Sequence, residues 1–258
     1  MFDLSGKVAL VAGGAGWLGA PICARLVGQG ASVVIADVDS ARAARVAEEI
    51  AGVRAGARTR AFLMDAAEER SIKEAVARTT AELGRLDIMV NATFAAAGKR
   101  VEEITAEEFD RTLHTNLVGG FLLAREAAGA MGGGGSMVFF GSMYGMIAPD
   151  PRIYQAPMNP NPIEYGVAKA GVIQMARYLA VHWAPRRIRV NAVIPGSFPN
   201  AKTQEQDPGF IARLAAKAPL GRIGDAAEVA GAVVYLVSDE ASFVTGTTLV
   251  VDGGWTTW

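Results

Sequence analysis

The chain has 258 residues, 51% hydrophobic and 20% charged, which excludes a disordered polymer and leaves room for one large domain or two small ones. With 25 Lys and Arg against 26 Asp and Glu, the net charge is -1 and no basic block occurs, so no nucleic-acid partner is expected. One cysteine, Cys23, and two histidines offer neither a disulfide nor a zinc site; no apolar run could span a membrane, and residues 1–7 lack a signal-peptide design, so a soluble, cytoplasmic protein without metal is expected.

In chain order, short apolar runs alternate with helical patterns. Strands are predicted at 8–12, 33–36, 61–64, 88–90, 137–140, 190–194 and 249–251, and helices at about 17–29, 40–52, 69–83, 106–130, 163–184 and 226–238. The strand runs are almost continuously apolar rather than alternating, as parallel strands covered on both faces require. This βαβ rhythm predicts a single α/β domain over 1–258, a doubly wound, seven-stranded parallel sheet with helices on both faces. The run Gly132–Gly135 joins a helix to a strand and is too short to separate domains.

Thirty glycines exceed what ordinary turns need, and their densest useful cluster lies at the first turn. Gly13-Gly14-Ala15-Gly16-Trp17-Leu18-Gly19 follows the first strand and opens the first helix. A turn without Cβ atoms lets backbone amides approach a pyrophosphate, and the helix N-terminus adds partial positive charge. Asp37 closes the second strand 18 residues after Gly19, where a carboxylate accepts hydrogen bonds from an adenosine ribose and repels a 2′-phosphate. NAD rather than NADP is therefore the expected cofactor. The competing reading is a glycine turn that serves packing alone.

Tyr165 and Lys169 are four residues apart in a helical pattern, hence on one face. A fixed cation favours phenolate over phenol, moving a group of ordinary pKa about 10 toward neutrality, where it can exchange a proton with an alcohol or carbonyl oxygen. The same spacing also describes a mere surface pair. Ser142 follows the fifth strand and so falls on the same carboxyl-end rim as the glycine turn.

Over essentially its whole length the chain resembles the short, about 250-residue branch of the short-chain dehydrogenase/reductase family. Besides the glycine turn, Tyr165 and Lys169, the resemblance is carried by Asp65, Asn91, Asn116 in His114-Thr115-Asn116-Leu117, Gly141-Ser142, Pro195-Gly196 and Val250-Val251-Asp252-Gly253-Gly254. It implies a Rossmann-type fold and a catalytic tetrad of Asn116, Ser142, Tyr165 and Lys169. Tyr165 would be the general acid/base and Ser142 would hydrogen-bond the reacting oxygen. Lys169 would lower the tyrosine pKa and hold the nicotinamide ribose, and Asn116 would hold a backbone kink and a proton-relay water. The implied cofactor-binding set is Gly13, Gly16, Trp17, Leu18, Gly19, Asp37, Asp65, Ala66, Asn91, Ala92, Tyr165, Lys169, Gly196, Ser197 and Phe198. A homotetramer, or a homodimer, is the implied assembly.

The chain departs from the family pattern in several places. Ala12 replaces a threonine and Trp17 the middle glycine of the usual turn, giving the glycine spacing of the longer, sugar-nucleotide-acting branch. Asn91-Ala92-Thr93-Phe94 replaces Asn-Asn-Ala-Gly, so shifted cofactor contacts rather than lost binding are expected. Asn200 stands where the family has a threonine, with Thr203 as the expected substitute.

Between Ser142 and Tyr165 lie 22 residues, more than the family commonly has, and positions 149–162 hold five of the 11 prolines. These forbid regular helix and stiffen the loop. Loop 143–163, with Tyr144 and Tyr154, is expected to form one substrate wall, unless it is a surface excursion or subunit contact. Residues 197–216 should form the other wall. Substrate contacts are assigned to Ser142, Tyr144, Tyr154 and Tyr165. The inserted pattern is similar to a subgroup linked to bacterial sugar and surface-glycan pathways, which implies a sugar-, polyol- or cyclitol-like secondary alcohol as the small-molecule substrate. A 3-oxoacyl-type ketone reductase using NADPH and a non-catalytic dinucleotide-binding protein are the alternatives. The C-terminal Trp255 and Trp258 are expected either to close the site or to meet a neighbouring subunit.

Overall fold

The seven apolar runs form β1 (Val8–Ala12), β2 (Ser32–Asp37), β3 (Thr59–Leu63), β4 (Ile88–Asn91), β5 (Gly135–Phe140), β6 (Ile188–Pro195) and β7 (Thr248–Val251) in the computed structural model, which describes residues 1–258. They pair in the order β3-β2-β1-β4-β5-β6-β7, all parallel. Strand alternation divides each run between two cores. In β1, Val8, Leu10 and Ala12 pack toward one helical layer, and Ala9 and Val11 toward the other.

The helices are α1 (Gly19–Gly28), α2 (Ser40–Glu49), α3 (Glu69–Leu83), α4 (Ala106–Leu113), α5 (Gly119–Ala130), α6 (Ile163–Trp183), α7 (Ala201–Gln206), α8 (Pro208–Lys217) and α9 (Ala226–Val237). α1, α2 and α9 cover one face of the sheet, and α3, α5 and α6 the other. β1 lies between β2 and β4, and the chain winds outward in both directions from there. That switch point opens a crevice beyond the carboxyl ends of the strands, between residues 13–19 and residues 91–94.

Two helical expectations change. The helix expected over 106–130 is broken by a π segment, His114–Val118, because the Asn116 amide donates to the Thr112 carbonyl at 2.9 Å and reaches Ala95 outside the helix. The stretch 197–216 also holds helices α7 and α8, which hydrophobic pattern alone did not predict. Asn200 caps α7 by accepting from the Thr203 N–H at 3.0 Å, and Asp207 caps α8 by accepting from the Phe210 N–H at 2.7 Å, with Pro208 in the first turn. No helix is long and apolar enough to cross a membrane.

Candidate functional site

A cavity of about 750 Å3 occupies the switch-point crevice. Its floor is the glycine turn, whose geometry tolerates no side chain. Gly13 has φ +71°, and a Cβ there would lie 2.8 Å from the Ala92 carbonyl oxygen. The Gly13 N–H donates to the Ala36 carbonyl at 2.8 Å, so the turn is tied to the end of β2. α1 begins at Gly19 with no side-chain cap; the Ala20 and Ile22 N–H groups bond the Gly16 and Leu18 carbonyls and Pro21 has none, which leaves the N–H groups of Trp17, Leu18 and Gly19 without a protein acceptor at the cavity end of the helix. Gly16, Trp17 and Leu18 line the cavity beside it.

Further along, Asp37, Val38, Asp65 and Ala66 line the same cavity. Asp37 accepts from the Ala15 N–H at 3.0 Å, which fixes its carboxylate against the turn. Among the lining residues Lys169 is the one cation, and it stands at the far end, on α6. A nicotinamide dinucleotide would fit this donor set: the unbonded N–H groups of residues 17–19 suit a pyrophosphate, and Asp37 and Asp65, with no cation beside them, suit ribose hydroxyls.

Ser142 and Tyr165 line the cavity with Lys169. Ser142 sits just after β5, 6% exposed, its hydroxyl accepting from the Tyr144 N–H at 3.1 Å. Tyr165 and Lys169 lie one turn apart on α6, the Lys169 Nζ 5.6 Å from the centre of the tyrosine ring. Lys169 is 4% exposed, and its Nζ donates to the carbonyls of Phe140 at 2.9 Å and Thr93 at 3.3 Å. Burial pushes its pKa down to about 8. Burial also pushes the Tyr165 phenol above its ordinary value, with Ser142 pulling the other way. The expected depression by Lys169 is not seen: burial of the phenol sets the direction. Phe94, 67% exposed, lies edge-on against Tyr165 with ring centres 5.4 Å apart.

Some candidates stand behind the cavity rather than in its wall. Asn116 is 1% exposed; its Oδ1 accepts from the Ala95 N–H at 3.3 Å and its Nδ2 donates to the Ala95 carbonyl at 2.7 Å. Asn91, expected among the cofactor contacts, is also buried, and its Oδ1 accepts from the Thr93 hydroxyl at 2.7 Å. Its neighbours Ala92 and Thr93 form the wall in its place. Ser197 faces a separate, smaller cavity, with its carbonyl accepting from the Gly224 N–H at 2.9 Å, whereas Gly196 and Phe198 remain in the main one. Tyr144 and Tyr154 bond each other through their hydroxyls at 2.6 Å. Tyr144 lines a neighbouring cavity of about 760 Å3, and Tyr154 packs behind Phe210, a lining residue, with ring centres 5.7 Å apart.

The two expected substrate walls meet. Arg213 of α8 donates to the Ile153 carbonyl at 2.7 Å, and Lys217 pairs with Asp150 at 2.5 Å. Bonds from Arg152 and Lys217 hold the Asp150 carboxyl well below the usual carboxylate range. Trp255 is buried in the same core as Phe210 and Leu214, and the Trp258 indole donates to the Lys217 carbonyl at 3.3 Å, so the tail braces α8. Asn200, Thr203 and Phe210 line the cavity as parts of the expected wall 197–216, whereas Asn161 lines it without having been singled out within loop 143–163. The one signal for Asn161 was its position between Pro160 and Pro162.

A family model described as enoyl-(acyl carrier protein) reductase matches residues 13–256. D-threitol dehydrogenase of Mycolicibacterium smegmatis is 34% identical, the match covering 99% of this chain and 95% of the relative. The 2,5-dichloro-2,5-cyclohexadiene-1,4-diol dehydrogenase of Sphingobium indicum is 36% identical over 99% of both chains. A crystal structure of a short-chain type dehydrogenase/reductase from Mycobacterium marinum superimposes with a TM-score of 0.86 at 34% identity, covering 99% of this chain and 97% of that one.

Proposed function

Because the chain belongs to the short-chain dehydrogenase/reductase family, we propose that it is an NAD(H)-dependent oxidoreductase that interconverts a secondary alcohol and a ketone, with Tyr165 as general acid/base and a polyol- or cyclitol-like substrate. The observation that carries this reading is that the glycine turn, the carboxylate of Asp37, Ser142 and Tyr165 all line one cavity. Two relatives named for polyol and cyclic diol oxidation support the substrate class.

The nicotinamide, when bound, takes or supplies the hydride. The side chains then have one proton and one developing oxyanion to manage. In alcohol oxidation the Tyr165 phenolate takes the hydroxyl proton, while the Ser142 hydroxyl hydrogen-bonds the same oxygen as it becomes a carbonyl. Lys169, anchored on two backbone carbonyls, holds positive charge beneath Tyr165. Asn116 acts indirectly, by holding Ala95 and with it the segment that carries Thr93 and Phe94. Asp37 and Asp65 favour NAD by repelling a 2′-phosphate, which argues against the NADPH-linked 3-oxoacyl reading. A homotetramer or homodimer forms part of the proposal; exposed Val167, Tyr178 and Val181 on α6 support it, and light scattering on the purified chain reads it directly.

Steady-state oxidation of polyols and cyclic diols with NAD+ tests the reading. Since burial holds the phenol protonated at neutral pH, the oxidation rate should rise with pH above neutrality. Tyr165→Phe should lower kcat by about 10^3-fold and abolish that rise while leaving NADH binding intact. Activity that survives the substitution overturns the assignment.

A further inference from the structure

In the whole chain, two buried side-chain polar atoms lack a hydrogen-bond partner: Asn161 Oδ1 and Glu164 Oε2. Native proteins leave few such atoms unbonded, because each forfeits its hydration without return. These two are three residues apart, at the entry to α6 and immediately before Tyr165. The Glu164 carboxylate is fully buried, and its other oxygen accepts from the Ala97 N–H at 2.9 Å, so it serves to anchor the segment 93–98. Asn161 differs: it lines the cavity that holds Ser142 and Tyr165, and it also lines the neighbouring cavity of about 760 Å3. It is the one residue common to both walls.

The backbone around Asn161 has little freedom. Pro160 and Pro162 fix φ on either side. Asn161 Oδ1 is itself closed to solvent as placed, so a ligand is met once the side-chain amide turns about its own bonds, offering Oδ1 as acceptor or Nδ2 as donor. A hydroxyl group is both donor and acceptor and can satisfy either end. The exposed Phe94 ring lines the same cavity and suits the apolar face of a carbon skeleton.

We propose that Asn161 is the specificity-determining residue of this site, and that its amide hydrogen-bonds a second hydroxyl of the substrate, on a carbon near the one oxidised. The proposal rests on the secondary-alcohol reading above and narrows it: the substrate class is diols, polyols or cyclitols in which a hydroxyl flanks the reacting carbinol. A site built to bond a hydroxyl discriminates against the analogue that lacks it, since the polar group is then left buried and alone.

Matched substrates isolate the effect. Kinetics with cyclohexane-1,2-diol against cyclohexanol, and with butane-2,3-diol against butan-2-ol, are compared for the wild type, Asn161→Ala and Asn161→Asp, with NADH binding followed by fluorescence. In the wild type kcat/KM favours the diol of each pair. In Asn161→Ala the diol-to-monoalcohol ratio falls by about tenfold or more, mainly through KM for the diol, while NADH affinity is unchanged and Asn161→Asp restores part of the preference. An unchanged ratio in Asn161→Ala, or an equal fall for diol and monoalcohol, overturns the assignment of Asn161 alone. Wild-type protein that binds NADH yet oxidises no alcohol of either kind overturns the functional reading, and this inference with it.

Discussion

Replacing Lys169 by Met probes whether burial governs this site. In the wild type Lys169 is 4% exposed and its pKa is pushed from 10.5 down to about 8. At 1.36 kcal/mol per pH unit, burial therefore disfavours the charged form by about 3 kcal/mol. Below pH 8 both folded and unfolded chains carry the proton, so the cost is present in full. Between pH 8 and 10.5 the folded chain releases its proton while the unfolded chain keeps it, so this group makes stability rise with pH. Integrated from pH 7 to 9.5, its contribution grows by about 2 kcal/mol. Buried Cys23 acts in the opposite direction, because its thiol is held protonated in the fold and ionises on unfolding. The comparison with Lys169→Met cancels that effect, since both proteins keep Cys23. Urea unfolding of the two proteins from pH 7 to 9.5 should show the wild type gaining about 2 kcal/mol relative to the variant. Curves parallel to within about 0.5 kcal/mol would refute a depressed lysine at this position.

Asp37→Ala should raise the NADP+ to NAD+ ratio of kcat/KM by about tenfold or more, because the cavity-lining carboxylate proposed to repel a 2′-phosphate is removed; an unmoved ratio would show that Asp37 does not select the cofactor. Gly13→Ala forces a side chain into φ +71° and within 2.8 Å of the Ala92 carbonyl, so Tm should fall by roughly 3–8 °C and NADH binding should weaken, both read by fluorescence. A variant with wild-type Tm would mean the turn relaxes freely.

Much of the architecture was legible because its signals are local. Continuous apolar runs between helical patterns are enough to specify parallel strands covered on both faces, and all seven lie within a few residues of the predicted positions. The glycine turn was legible because positive φ and backbone crowding exclude other residues there. Helices α7 and α8 were missed because their signals are the caps Asn200 and Asp207, which read equally well as loop residues until the N–H groups they accept from are in place.

The site divides along the same line. Sequence spacing alone put Tyr165 and Lys169 on one helical face and Ser142 on the strand-end rim, since helix period and strand position are properties of the local chain. Only the tertiary structure decided which candidates reach the cavity. Asn91 and Asn116 turn inward to bond backbone at 93–95, Tyr144 and Tyr154 close on each other, and Asn161 enters the wall from a proline-flanked position with no motif of its own. A side chain's chemistry is written in its identity, but its access to a ligand depends on the distant backbone packed against it, which here joins residues 93–97 to α6 across more than 60 positions of sequence.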